Sequence, residues 1–189
     1  MIASLAVNYR VFGNKNYLEA ALKSFSFIEK KLIQNDELLV RFRDGEAKFS
    51  GTLTEHTFFI FALLELYKST CEERFLNLAK KFQKKTEELF GDATNGGFFY
   101  ASEKASDLFT RKKEWYDGAI PSGNNMALLN LISLFYLTNE KKYQEKFEKN
   151  VEAVLKKLKQ YPAGFATGLL AFDLYLNGFK EALACPIIP

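Results

Sequence analysis

The chain has 189 residues, 48% of them hydrophobic and 26% charged, with a net charge of +3. That balance reads as one soluble, globular domain with a core of its own. It argues against a nucleic-acid binder, because residues 139–160, with seven Lys and four Glu alternating beside an apolar stripe, carry the whole excess as a solvated helix face.

In chain order, Gly13-Asn14 stops one helix and starts the next. The following helix is amphipathic, with Tyr17, Leu18, Ala21, Leu22, Phe25, Ile28 and Leu32 at helical spacing. A long connection covers roughly residues 35–53 and holds Leu38-Leu-Val-Arg-Phe42, so order is expected there, and short β-hairpins are compatible with this and the second long connection. Residues 58–64 are apolar nearly all round, which marks a buried helix. A tight turn at residues 69–71 carries a capping box, Thr70-x-x-Glu73. A second long connection, roughly 91–121, contains Gly96-Gly-Phe-Phe-Tyr100 and Trp115-Tyr116. Residues 126–132 form another all-apolar helix, followed by a short turn at 138–140. An amphipathic helix then carries Tyr143, Phe147, Val151, Val154, Leu155 and Leu158. Residues 165–176 read as a last apolar helix stopped by Gly178, and the tail 182–189 as irregular.

Three turns share one pattern, an aromatic followed eight positions later by another: Tyr9 and Tyr17, Tyr67 and Phe75, Phe135 and Tyr143. Each marks a helical hairpin. The spacing of 58 and then 68 residues is too long and too uneven for a TPR-type solenoid. Alternating buried and half-buried helices suit two concentric layers, so the fold class expected is all-α, about three and a half antiparallel hairpins of an (α/α) toroid, over residues 1–181. Both long connections precede an all-apolar helix and so lie on one side of the stack. That face includes helix N-termini, whose free N–H groups suit an anionic or polyhydroxy ligand.

Two cysteines, Cys71 and Cys185, lie far apart with no CxxC, so no disulfide framework is expected and a reducing compartment is. One histidine in the chain leaves no ligand set for a structural zinc. Gly96-Gly97 is a turn signal, not a phosphate loop, and no cofactor is expected. No apolar run reaches the ~18 residues of a membrane span. Met1-Ile-Ala-Ser-Leu lacks the marks of a signal peptide, so the expected location is cytoplasmic.

Arg43-Asp-Gly45, Gly51-Thr-Leu-Thr-Glu-His-Thr57, Gly96-Gly-Phe-Phe99 and above all Asp117-Gly-Ala-Ile-Pro-Ser-Gly-Asn124 resemble the C-terminal region of the spermatogenesis-associated, thioredoxin-domain-containing protein family. The chain differs at Glu55-His56, where that family commonly has Asp-Tyr, and at Asn125, where it has a small residue. The resemblance implies a longer parent with an N-terminal thioredoxin-like domain. A six-hairpin (α/α)6 barrel similar to N-acylglucosamine epimerases and six-hairpin glycosidases would follow it.

The candidate catalytic residues are Glu55, His56 and Asp117, and the candidate sugar-binding residues are Arg43, Trp115, Tyr116, Ser122 and Asn124. Glu55 and Asp117 supply the paired carboxylates that glycoside chemistry needs, and His56 a proton shuttle. Each also has a structural reading. Glu55 completes a capping box with Thr52, Asp117 caps its own turn, Ser122 is a helix N-cap, and Trp115 anchors a loop on the core. The function expected is a carbohydrate-active domain, isomerase, epimerase or hydrolase-like; the alternative is a non-catalytic helical scaffold of a thioredoxin-linked protein. Partners expected are a sugar and, if the chain stands alone, a second copy covering the bare edges of its apolar helices.

Overall fold

The computed structural model describes residues 1–103 and 110–178. The tail 182–189, and with it the far end of the expected 1–181 domain, lies outside the described residues. Seven α-helices and one sheet follow in chain order among the described residues: α1 (Ile2–Phe12), α2 (Lys15–Phe27), a π-helical turn (Ile28–Leu32), β1 (Ile33–Gln34), β2 (Glu37–Arg43), β3 (Glu46–Ser50), α3 (Leu53–Thr70), α4 (Glu73–Phe90), α5 (Gly123–Thr138), α6 (Lys141–Gln160), a 3₁₀ turn (Pro162–Phe165) and α7 (Ala166–Asn177). They fall into two compact units. Among the described residues, one joins Met1–Gly51 to Phe59–Lys81, and the other joins Thr52–Phe58 to residues 82–178.

In the first unit, Gly13 (φ 68°) ends α1 with its N–H on the Tyr9 carbonyl at 2.8 Å, and the Asn14 side chain caps α2 by accepting from Asn16 N–H. The turns at Asn35-Asp36 (φ 49° and 64°) and Asp44-Gly45 (φ 53° and 84°) have both central residues at positive φ, as tight two-residue hairpins require. They set the antiparallel order β1-β2-β3, with Leu39 opposite Ser50 and Arg43 opposite Glu46. The core is aromatic: Phe25 lies parallel to Phe59 (6.3 Å) and edge-on to Phe75 (5.0 Å). Beside it Glu65, 3% exposed, takes Arg10 Nη2 at 2.5 Å and Lys68 Nζ at 2.9 Å. Val11 and Phe12 of α1 remain 67% and 69% exposed, so this apolar helix has an uncovered face.

The Thr70 side chain does not form the expected box with Glu73. It accepts from Glu72 N–H at 3.2 Å, because Thr70 is still the last residue of α3 and spans the turn from that side. Cys71 closes α3 in the left-handed region (φ 55°) and is disulfide-bonded. Cys71 thus departs from the expectation that no disulfide forms. Cys185 lies outside the described residues.

In the second unit, α5 is buried at every position from Gly123 to Leu134, as its apolar sequence demands. Helix α6 buries Tyr143, Phe147, Asn150 and Val154 at three- and four-residue steps and turns its Lys and Glu outward. Phe147 meets Phe172 and Tyr175 of α7 at 5.9 and 5.0 Å. Leu53, Phe90, Phe98 and Ala127 form a core cluster at the start of α3 and α5. Among the described residues no helix is long and apolar enough to cross a membrane.

Candidate functional site

Helices α3, α5 and α7 all begin in the second unit, and their starts are tied to one another and to the long connection before α5. Leu53 N–H donates to the Tyr100 carbonyl at 3.0 Å. Gly123 lies against Leu53 so closely that an added Cβ would sit 2.8 Å from Leu53 Cγ. A glycine is required there by the approach of the two helix starts, which accounts for the Ser-Gly-Asn spacing.

Asp117 joins α5 to α7. Its Oδ1 accepts from Ser122 N–H and from Asn125 Nδ2, both at 2.8 Å, and its Oδ2 accepts from Thr167 N–H at 2.7 Å. Its own N–H donates to the Gly164 carbonyl at 2.8 Å. A carboxylate with three donors is fixed in orientation. Ser122 caps α5, its Oγ accepting from Asn125 N–H at 3.2 Å.

Asn124 reads backbone. The chain pairs antiparallel at Gly91 and Phe98, through Asp92 N–H to Gly97 O (2.9 Å) and Phe99 N–H to Phe90 O (2.7 Å). The N–H and C=O of Phe98 itself therefore face the other way, and the Asn124 amide meets both: Oδ1 accepts from Phe98 N–H at 2.7 Å and Nδ2 donates to Phe98 O at 2.8 Å. The same Nδ2 reaches Glu114 O at 2.8 Å, and Asn124 is 1% exposed. Asn125, fully buried, donates to Trp115 O at 2.8 Å. Its Oδ1 has no hydrogen-bond partner and lies over Gly168, where an added Cβ would come within 2.9 Å.

The other candidates have separate surroundings. Glu55 Oε2 accepts from Thr52 N–H (2.7 Å) and Thr52 Oγ1 (2.5 Å), a helix cap. His56, 1% exposed, is edge-on to Phe82 and Phe90 with Thr86 Oγ1 at 3.4 Å from Nδ1. Trp115 is 6% exposed, and its ring covers Gly97, where a Cβ would fall 2.5 Å from Cζ2. Arg43 belongs to the first unit, with a 73% exposed side chain whose Nε is 3.3 Å from Asp44. Tyr116 alone among these candidates offers a broad open ring: it is 62% exposed and stands parallel to Tyr161, itself 55% exposed. Tyr161 went unnoticed in the sequence; its signal was an aromatic placed just before Pro162 at the end of an amphipathic helix.

A pocket of about 190 Å³ lies between the end of α4, the Asp92–Phe98 turn and α6 and contains none of the candidates. Its polar side chains are engaged: Glu87 with Lys146, Lys149 with Ala93 O, Asn150 with Gly97 N–H. Asp92 at its rim is held below the usual carboxylate range, first by Lys113 (2.6 Å) and then by Asn95 and Thr94. Among the described residues no group of three or more His, Cys, Asp or Glu is placed to hold a metal ion.

No family model matches the chain. In sequence it is 29% identical over 136 residues to spermatogenesis-associated protein 20 of Rattus norvegicus, covering 71% of this chain and 17% of that protein. It is 28% identical over 170 residues to an uncharacterized protein of Caenorhabditis elegans, covering 85% of this chain and 23% of the other. It thus spans under a quarter of these relatives. In structure it is similar to a glycoside hydrolase family 76 mannosidase from Bacteroides thetaiotaomicron, with TM-score 0.67 and 17% identity over 82% of this chain and 42% of the mannosidase. Cellobiose 2-epimerase from Bacillus thermoamylovorans gives TM-score 0.68 and 14% identity, over 83% of this chain and 42% of the epimerase. An α-1,6-mannanase of Salegentibacter, solved in complex with α-1,6-mannotriose, gives TM-score 0.63 and 14% identity, over 81% of this chain and 44% of the mannanase. The chain is therefore a sequence relative of spermatogenesis-associated protein 20 that carries the fold of part of an (α/α)6 toroid of the six-hairpin glycosidase type.

Proposed function

We propose that the chain is a carbohydrate-recognising part of a six-hairpin glycosidase-like protein, and that the sugar meets the face formed by the starts of α3, α5 and α7. The observation that carries the reading is Tyr116, an open aromatic ring next to Asp117, the carboxylate that joins α5 and α7. The similarity to a mannosidase, an epimerase and a mannotriose-bound mannanase supports it by analogy of fold. Turnover is the finer proposal. It needs Asp117 to exchange one of its three donors for a substrate hydroxyl and Glu55 to leave its cap on Thr52, while His56 acts from within the core.

The second reading, a non-catalytic scaffold, is favoured by one specific fact: Glu55, His56 and Asp117 are each already occupied by different structural partners. The two readings separate on one experiment. Mono- and oligosaccharides are titrated into the protein by isothermal calorimetry, and product formation is followed by sugar chromatography. Binding without products supports recognition alone. Products that vanish in Asp117→Asn and Glu55→Gln support turnover. Absence of binding across gluco-, manno- and N-acylamino sugars would sink the carbohydrate reading.

A further inference from the structure

We propose that Tyr116 and Tyr161 together form a two-ring platform that binds the C–H face of a pyranose unit. This rests on the carbohydrate reading above and assigns it a subsite. The two rings are stacked, with centroids 6.2 Å apart and planes that differ by 10°, so the pair presents the free faces and edges of a stack. A near-parallel pair elsewhere, Phe25 and Phe59, is core packing at 2% and 5% exposure; Tyr116 and Tyr161 are 62% and 55% exposed.

The pair is held in place by backbone. Asp117 N–H bonds the Gly164 carbonyl at 2.8 Å, and Gly164 N–H bonds the Tyr161 carbonyl at 3.2 Å, so the segments that carry the two rings are linked through Gly164. That residue has no room for a side chain: a Cβ would fall 2.8 Å from Tyr116 Cδ2 and 2.8 Å from Tyr161 Cδ1. A platform ordered before the ligand arrives loses little freedom on binding.

The chemistry favours a sugar. An aromatic face is electronegative, and the C–H bonds on a pyranose face are polarised positive by the ring and hydroxyl oxygens, so the two attract as they shed water. The phenol hydroxyls at the ring edges donate to and accept from sugar hydroxyls.

The test is saturation-transfer NMR and calorimetry with a panel of gluco- and manno-oligosaccharides on wild type, Tyr116→Ala, Tyr161→Ala, Gly164→Ala and the control Phe12→Ala, an exposed aromatic of the first unit. Both platform rings are more than half exposed, so their truncation leaves the core intact, and circular dichroism verifies it. The expected result is a loss of about tenfold or more in affinity for each platform variant, with Phe12→Ala unchanged. In the wild type, saturation transfers to the C–H protons of one sugar face. A wild type that binds sugar as tightly as Tyr116→Ala and Tyr161→Ala overturns the platform while the carbohydrate reading stands. A wild type that binds no sugar overturns both. Binding of a single-stranded oligonucleotide through the same two rings, with no sugar bound, overturns the sugar assignment as well.

Discussion

Replacing Asn124 by alanine removes three hydrogen bonds at once, to Phe98 N–H, Phe98 O and Glu114 O. The residue is 1% exposed, so water does not readily replace them. A buried backbone group left without a partner costs about 1–3 kcal/mol. With three groups affected and some relaxation, Asn124→Ala should lose about 3–5 kcal/mol, a large share of the roughly 5–15 kcal/mol that stabilises a domain. Trp115, the only tryptophan, is 6% exposed and belongs to the same unit, so its fluorescence during urea unfolding reports the loss. Asn124→Asp sharpens the test. One oxygen still accepts from Phe98 N–H, but the other now faces two carbonyl oxygens, so the folded state favours the protonated acid and raises its pKa. The folded form then binds more protons than the unfolded one. Stability should fall as pH rises from about 4, the ordinary carboxyl value, while Asn124→Ala stays parallel to wild type. A loss below about 1 kcal/mol in Asn124→Ala, with sugar binding abolished, would refute the structural role and restore the ligand-binding one.

Three further outcomes are expected. Gly97→Ala, at φ 74° and with its Cβ 2.5 Å from Trp115, should cost about 2–4 kcal/mol and shift Trp115 emission to the red; an unchanged spectrum would contradict the packing. Asp92 is held below the usual carboxylate range in the folded state, so its contribution is complete above about pH 4 and is lost as pH falls below it. Urea titrations in acid should show the gap between wild type and Asp92→Asn narrowing as pH drops, and a constant gap would count against the Lys113 pairing. Glu65→Ala removes the buried carboxylate that Arg10 and Lys68 share, their side chains being 23% and 7% exposed, and should cost about 3–5 kcal/mol by far-ultraviolet circular dichroism in urea; a cost near zero would show that the cations are held by their other contacts.

The helices were legible because their signals are local. Gly13-Asn14, the apolar runs in α3 and α5, and the stripe Tyr143, Phe147, Val154 in α6 each act within a turn or two of chain. The caps at Thr52 and Ser122 were legible for the same reason. The full roles of Asn124 and Asp117 were not, because each also has a distant backbone partner: Phe98 lies 26 residues before Asn124, and Thr167 lies 50 after Asp117. A side chain that hydrogen-bonds backbone leaves no mark on its partner's identity. His56 shows another blind spot. Its place at the start of α3 pointed to the long-loop face, yet one residue of helical rotation separates Glu55 at the cap from an imidazole packed on Phe82 and Phe90.

The Asn124 amide takes the place of a third strand beside Phe98, so the path of the long connection is set by main-chain atoms of Phe98 and Glu114. Nothing in those contacts depends on which side chain residue 114 carries. The connection is thus free to change its chemistry while keeping its course, provided the asparagine stays.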